Sequence, residues 1–83
     1  MAGLHRFVLC HRHDPHECST SFAAWKGHAS PLRHRAAPAS CLFGGHGVWW
    51  FVEASDSAAA LALLPRWVAA RTEVVQVRST TIP

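Results

Sequence analysis

The chain has 83 residues, a mass of 9.1 kDa, 49% hydrophobic and 16% charged residues, which fits one small domain and excludes both a two-domain enzyme and a disordered polymer. Its formal charge of +3 comes from eight Lys and Arg against five Asp and Glu, and the cations are spread along the chain; nucleic-acid binding, which needs a concentrated basic face, is not expected. Seven His, three Cys and four Trp in so short a chain are the compositional excess that calls for explanation.

Residues 5–12 carry a β-branched and aromatic run that stops before Asp14-Pro15 and read as a strand. Asp14 as N-cap, Pro15 at the first helical position and Glu17 three residues on form a helix-start signature, so a helix is expected over 15–26. Its Cys18, Phe22, Trp25 and Ala29 share one stripe, expected to face the core. Residues 29–38, with Pro31, Pro38 and Arg33-His34-Arg35, have neither period and read as a loop. A short strand over 40–43, a Gly-rich connection at 44–47 and an aromatic strand over 48–54 read as a β-hairpin. A helix follows from about residue 57, broken at Pro65, and a last strand runs over 72–80. The order is β-α-β-β-α-β, which gives an α+β, ferredoxin-like domain over 1–83 with a four-stranded antiparallel sheet and two helices on one face. One sheet face stays uncovered, and a homodimer closing two sheets into an α/β barrel would bury it.

The element order, the hairpin Gly-Gly-His-Gly-Val-Trp-Trp-Phe-Val-Glu, the following Ser-Asp-Ser-Ala-Ala-Ala-Leu and the closing Glu-Val-Val-Gln-Val resemble the dimeric α/β-barrel superfamily, and within it a small uncharacterised bacterial family. The resemblance spans nearly the whole chain and implies a ligand cavity between sheet and helices in each subunit. Members of that superfamily include heme-degrading and quinone-forming monooxygenases, cyclases, isomerases and small metal-binding proteins; none of their catalytic motifs is matched residue by residue.

The densest chemical constellation is Cys10-His11-Arg12-His13-Asp14-Pro15-His16-Glu17-Cys18. On a strand His11 and His13 project to one face, and the turn into the helix brings His16 and Cys18 near, so these four are the candidate metal ligands. Such nitrogen and sulfur donors suit Zn, Ni or Cu. Cys18 also fits the helix's core stripe, where it would be a small buried hydrophobe. The alternative is a cofactor-free enzyme of cyclase, isomerase or monooxygenase type, with His11 or His13 as general base, Glu53 orienting it and His34 at the cavity mouth. Trp49 and Trp50 must face opposite sides of the sheet, so one would line the cavity, and Arg33 could meet an anionic or carbonyl group; an aromatic ligand, heme included, is compatible. His28 and His46 read as loop and turn residues, and Cys41 as the start of an edge strand. No segment reads as a signal peptide or membrane span, and the odd, unpaired cysteines suggest reduced thiols and a cytoplasmic location.

Overall fold

A computed structural model describes residues 3–83. Strand β1, His5–Arg12, is built on period-two alternation: Phe7, Leu9 and His11 are buried on one face, while Arg6 and Arg12 on the other are exposed. Strand β2, Gly47–Ala54, pairs antiparallel with it, setting Phe7 opposite Val52, Leu9 opposite Trp50 and His11 opposite Val48. Strand β3, Thr72–Val77, pairs antiparallel with the other edge of β1, with Leu9 opposite Val74 and His11 opposite Thr72. The sheet among the described residues therefore has the order β2-β1-β3.

The helices are short. A 3₁₀ turn at Pro15–Glu17 leads into α1, Cys18–Ala23, while α2, Ser57–Leu61, and α3, Arg66–Ala69, connect β2 to β3. Asp56 caps α2 by accepting a hydrogen bond from Ala59 N–H at 2.7 Å, and Pro65 is the N-cap of α3, a position whose N–H the helix ladder does not use. Phe7, Leu9, Trp50 and Val52 of the sheet, Leu32 of the loop, and Ala60, Leu64 and Val68 of the α2–α3 arm form one core. These helices lie over the same face that carries His11.

The four-stranded ferredoxin-like sheet expected from the sequence is not formed. Residues expected as its fourth strand make a 3₁₀ turn, Cys41–Phe43, and the pairing with β2 shrinks to a single bridge between Ala39 and Val48. The physical cause is Ser40: it exchanges backbone hydrogen bonds with the loop at Gly47 O (2.8 Å) and Gly45 N (2.9 Å), and its Oγ accepts from Gly47 N at 2.9 Å. Those bonds close a tight loop where a strand would have to continue, and Pro38 has no N–H to extend the ladder in the other direction. A barrel assembled from two four-stranded sheets loses its basis with that strand.

The helix stripe also shifts. Because the first turn is 3₁₀, the inward line of this segment passes through half-buried Cys18, buried Ser21 and, beyond the end of α1, half-buried Trp25, and Phe22, expected in the core, is 72% exposed. The helix expected to reach Lys26 ends at Ala23 and dissolves into turns that reach Gly27, whose φ is +79°. Strand β3 stops at Val77, short of the expected Thr80.

Candidate metal centre

Two short arms of chain meet beyond one end of β1. The first arm leaves β1 through His13 and re-enters helix at Cys18. Its geometry is set at Glu17, whose Oε1 accepts a hydrogen bond from Asp14 N–H at 2.9 Å while Oε2 lies 3.7 Å from Arg71 of the β3 entry. The Asp14 N–H holds the Glu17 carboxyl below its usual range, with the Arg71 guanidinium assisting against partial burial. The second arm is the 40–47 loop, which carries Cys41 and His46. His13 N–H donates to His46 O at 3.2 Å, so the two arms are joined through their backbones as well.

The loop can present both side chains only because of its glycines. His46 itself has a φ of +49°, and a Cβ at Gly45 would collide with the Ser40 hydroxyl and stand 2.7 Å from Ser40 Cβ. At Gly47 a Cβ would meet the Trp49 ring at 2.8 Å.

The result is a four-residue cluster of His13, Cys18, Cys41 and His46 whose ligand atoms all lie within 4.8 Å of one another. Cys18 Sγ is 3.4 Å from His13 Nε2 and 3.2 Å from His46 Nδ1, and Cys41 Sγ is 3.9 Å from His13 Nε2. A tetrahedral zinc with bonds of about 2.0–2.1 Å to nitrogen and 2.3 Å to sulfur separates its ligands by roughly 3.3–3.8 Å. The cluster is thus spaced like a tetrahedral His2Cys2 set. His13 is buried and the other three are half-buried, so two thiolates would neutralise a divalent cation out of bulk water. Burial, and then the neighbouring Cys18 thiol, push the Cys41 thiol up; a bound cation acts in the opposite sense, favouring the thiolate.

His11 fixes the state of His13. Its Nδ1 faces Val68 O at 3.3 Å and Thr72 Oγ1 at 3.3 Å, while the Thr72 hydroxyl is 2.6 Å from Val68 O. A carbonyl only accepts, and the Thr72 proton is taken by that carbonyl, so His11 Nδ1 must carry hydrogen. Burial lowers the His11 pKa against the pull of the Val68 carbonyl, which keeps the ring neutral. His11 Nε2 is then an acceptor, and it receives His13 Nδ1–H at 3.0 Å. In a neutral His13 ring the lone pair then falls on Nε2, which faces Cys18 and Cys41. A non-ligating hydrogen-bond partner of this kind orients metal-bound imidazoles in general.

Of the four metal ligands expected from the sequence, His13 and Cys18 are brought together. His11 shares their face, as expected, but stands behind His13 with both ring nitrogens engaged. His16 is exposed on the 3₁₀ turn and groups with Asp14 and Glu17 instead. Cys41 and His46 complete the set from 28 residues away. Their sequence signal is a mirrored spacing, His13-x4-Cys18 and Cys41-x4-His46.

The remaining expected site residues lie apart from this cluster. Glu53 is exposed and pairs in register with Arg6, so it does not reach the first-strand histidines. Trp50 is buried in the core, 5.7 Å from Trp25 between ring centroids, and Trp49 lies on the opposite sheet face with the Arg12 guanidinium 5.9 Å from its ring. Arg33 and His34, with Arg35, border a groove that meets the cluster only at Cys41.

Comparison of the chain with protein-family models, with curated proteins and with solved structures gives no match. Among the described residues, no helix is long and apolar enough to cross a membrane.

Proposed function

We propose that this protein holds a transition metal, zinc in the first instance, in the closed His13/Cys18/Cys41/His46 site, and that the ion fastens the 24–46 segment to the sheet. The convergence of His13, Cys18, Cys41 and His46 carries this reading, with the His11 bond orienting His13 Nε2 toward the cysteines. Four protein ligands leave no open coordination position, which favours a structural over a catalytic ion. The need for such a staple follows from the fold: between Ala23 and Gly47 the chain has a single 3₁₀ turn and one isolated bridge, and a domain of this size has little core with which to hold so long a loop. A thiolate-bound ion requires reduced cysteines, in keeping with a reducing compartment such as the cytoplasm.

The test is metal analysis of protein purified without a polyhistidine tag. About one equivalent of zinc (or nickel or copper) per chain is expected, lost in His13→Ala and in Cys41→Ser/His46→Ala, and kept in His16→Ala. Metal-free protein that folds normally after refolding with zinc, without taking it up, overturns the reading.

A homodimer is the second part of the proposal, now through the open face of a three-stranded sheet. That face carries a central row of Phe51, Val8 and Val75, with Phe51 72% exposed, beside an Arg6–Glu53 pair in register. Sedimentation at micromolar concentration should give a dimer that Phe51→Asp converts to monomer; a monomeric wild-type chain removes this part and leaves the metal site untouched.

A further inference from the structure

A groove of about 560 Å³ opens beside the Cys41–Phe43 turn. Its floor is apolar and aromatic, formed by Trp25, Leu32, Val48 and Trp50, and its walls include Phe22 and Leu42. Those two side chains are 72% and 95% exposed, an arrangement that water disfavours unless something apolar lies between them. The size falls within the range of small-molecule sites, about 300–1,000 Å³.

Its rim has the opposite character. Arg33, His34 and Arg35 all line the groove, whereas three consecutive residues of an extended strand alternate between two sides. The left-handed conformation of His34, φ +64°, is what coils the loop to bring all three to one place, and non-glycine residues adopt it uncommonly. Neither arginine has a carboxylate partner among the described residues. Two guanidinium groups without counter-charges, set above an aromatic floor, form a site complementary to a planar apolar molecule bearing an anionic group.

We propose that this groove binds a small aromatic carboxylate, its ring against Trp25 and Trp50 and its carboxylate held by Arg33 and Arg35. The groove meets the metal cluster only at Cys41, and the proposal does not rest on the ion. The test is calorimetric titration of the purified protein with 2-naphthoate and, as the neutral analogue of equal shape, 2-naphthamide. Saturable one-site binding of naphthoate is expected, weakened about tenfold or more by Arg33→Glu/Arg35→Glu while naphthamide binding changes less than about threefold. Leu42→Asp, at a position too exposed to affect folding, should weaken both ligands. Metal content measured on the same samples should be unchanged by the arginine substitutions, which separates failure of this site from failure of the metal site. Absence of saturable naphthoate binding, or an equal loss for acid and amide in the arginine variant, overturns the proposal.

Discussion

His13 donates its Nδ1 proton to His11 Nε2 across 3.0 Å, and this one bond makes a buried, uncharged histidine responsible for the ligand character of its neighbour. His11 is 1% exposed, so it acts on the site only through that bond. His11→Phe keeps a ring of similar bulk but removes the acceptor. It is expected to lower zinc affinity about 10- to 100-fold without abolishing it, whereas His13→Ala removes a ligand and lowers it further. Competition with a chromophoric chelator distinguishes the two; equal affinity in His11→Phe and wild type would show that His13 needs no such support.

The three cysteines should separate by reactivity. Cys18 and Cys41 belong to the cluster, and Cys10 lies on the other side of the sheet, opposite Trp49 and Glu73. With zinc present, a thiol reagent should modify Cys10 alone under native conditions; after chelation, Cys18 and Cys41 should become modified too. Mass spectrometry of the labelled peptides reads the result, and equal labelling of all three with zinc present contradicts ligation.

Gly45→Ala adds one methyl group where the Ser40 hydroxyl already stands. Ser40 holds the loop shut through Gly45 and Gly47, so the methyl must displace the segment that carries Cys41 and His46. Loss of metal affinity of about tenfold or more is expected, with the sheet unchanged by circular dichroism. Gly3→Ala, where a Cβ meets nothing within 4 Å, is the control.

Core and groove leucines should differ sharply. Leu9 is fully buried in the central strand and Leu42 is exposed on the turn. Leu9→Ala should destabilise the fold by about 2–5 kcal/mol, and Leu42→Ala by no more than about 0.5 kcal/mol. Urea unfolding of both variants checks this, and comparable losses would place Leu42 in a buried interface.

Short-range signals were the legible part of the sequence. The β-branched and aromatic run ending before Asp14-Pro15 marks a strand at 5–12, as β1 is, and strand alternation puts His11 and His13 on one face because a strand's period is fixed by its own backbone. His13 and Cys18 are five residues apart, close enough for a strand-to-helix turn to join them. For Cys41 and His46 the mirrored spacing marks them only as a second pair of donors; their approach to the first pair depends on the long loop folding back, which no local period records. The missing fourth strand has a similar cause. Residues 40–43 have strand-like composition, but the Ser40 bonds to Gly45 and Gly47 satisfy the backbone in a turn instead. Phe22 left the core because a 3₁₀ first turn rotates the helix that follows it.

The mirrored placement of the ligands also bears on the order in which the molecule assembles. Each arm is a local clip of six residues, 13–18 and 41–46, which can form its own pair of donors before the sheet exists. Only one distant encounter, between positions 28 residues apart, is then needed to complete the centre, and the entropy of closing such a loop grows only logarithmically with its length. An ion caught by one arm would tether it to the other. Folding in the presence of metal should therefore be faster, and the encounter it accelerates is the one that brings the start of β2 alongside the end of β1, from which their antiparallel register can zip.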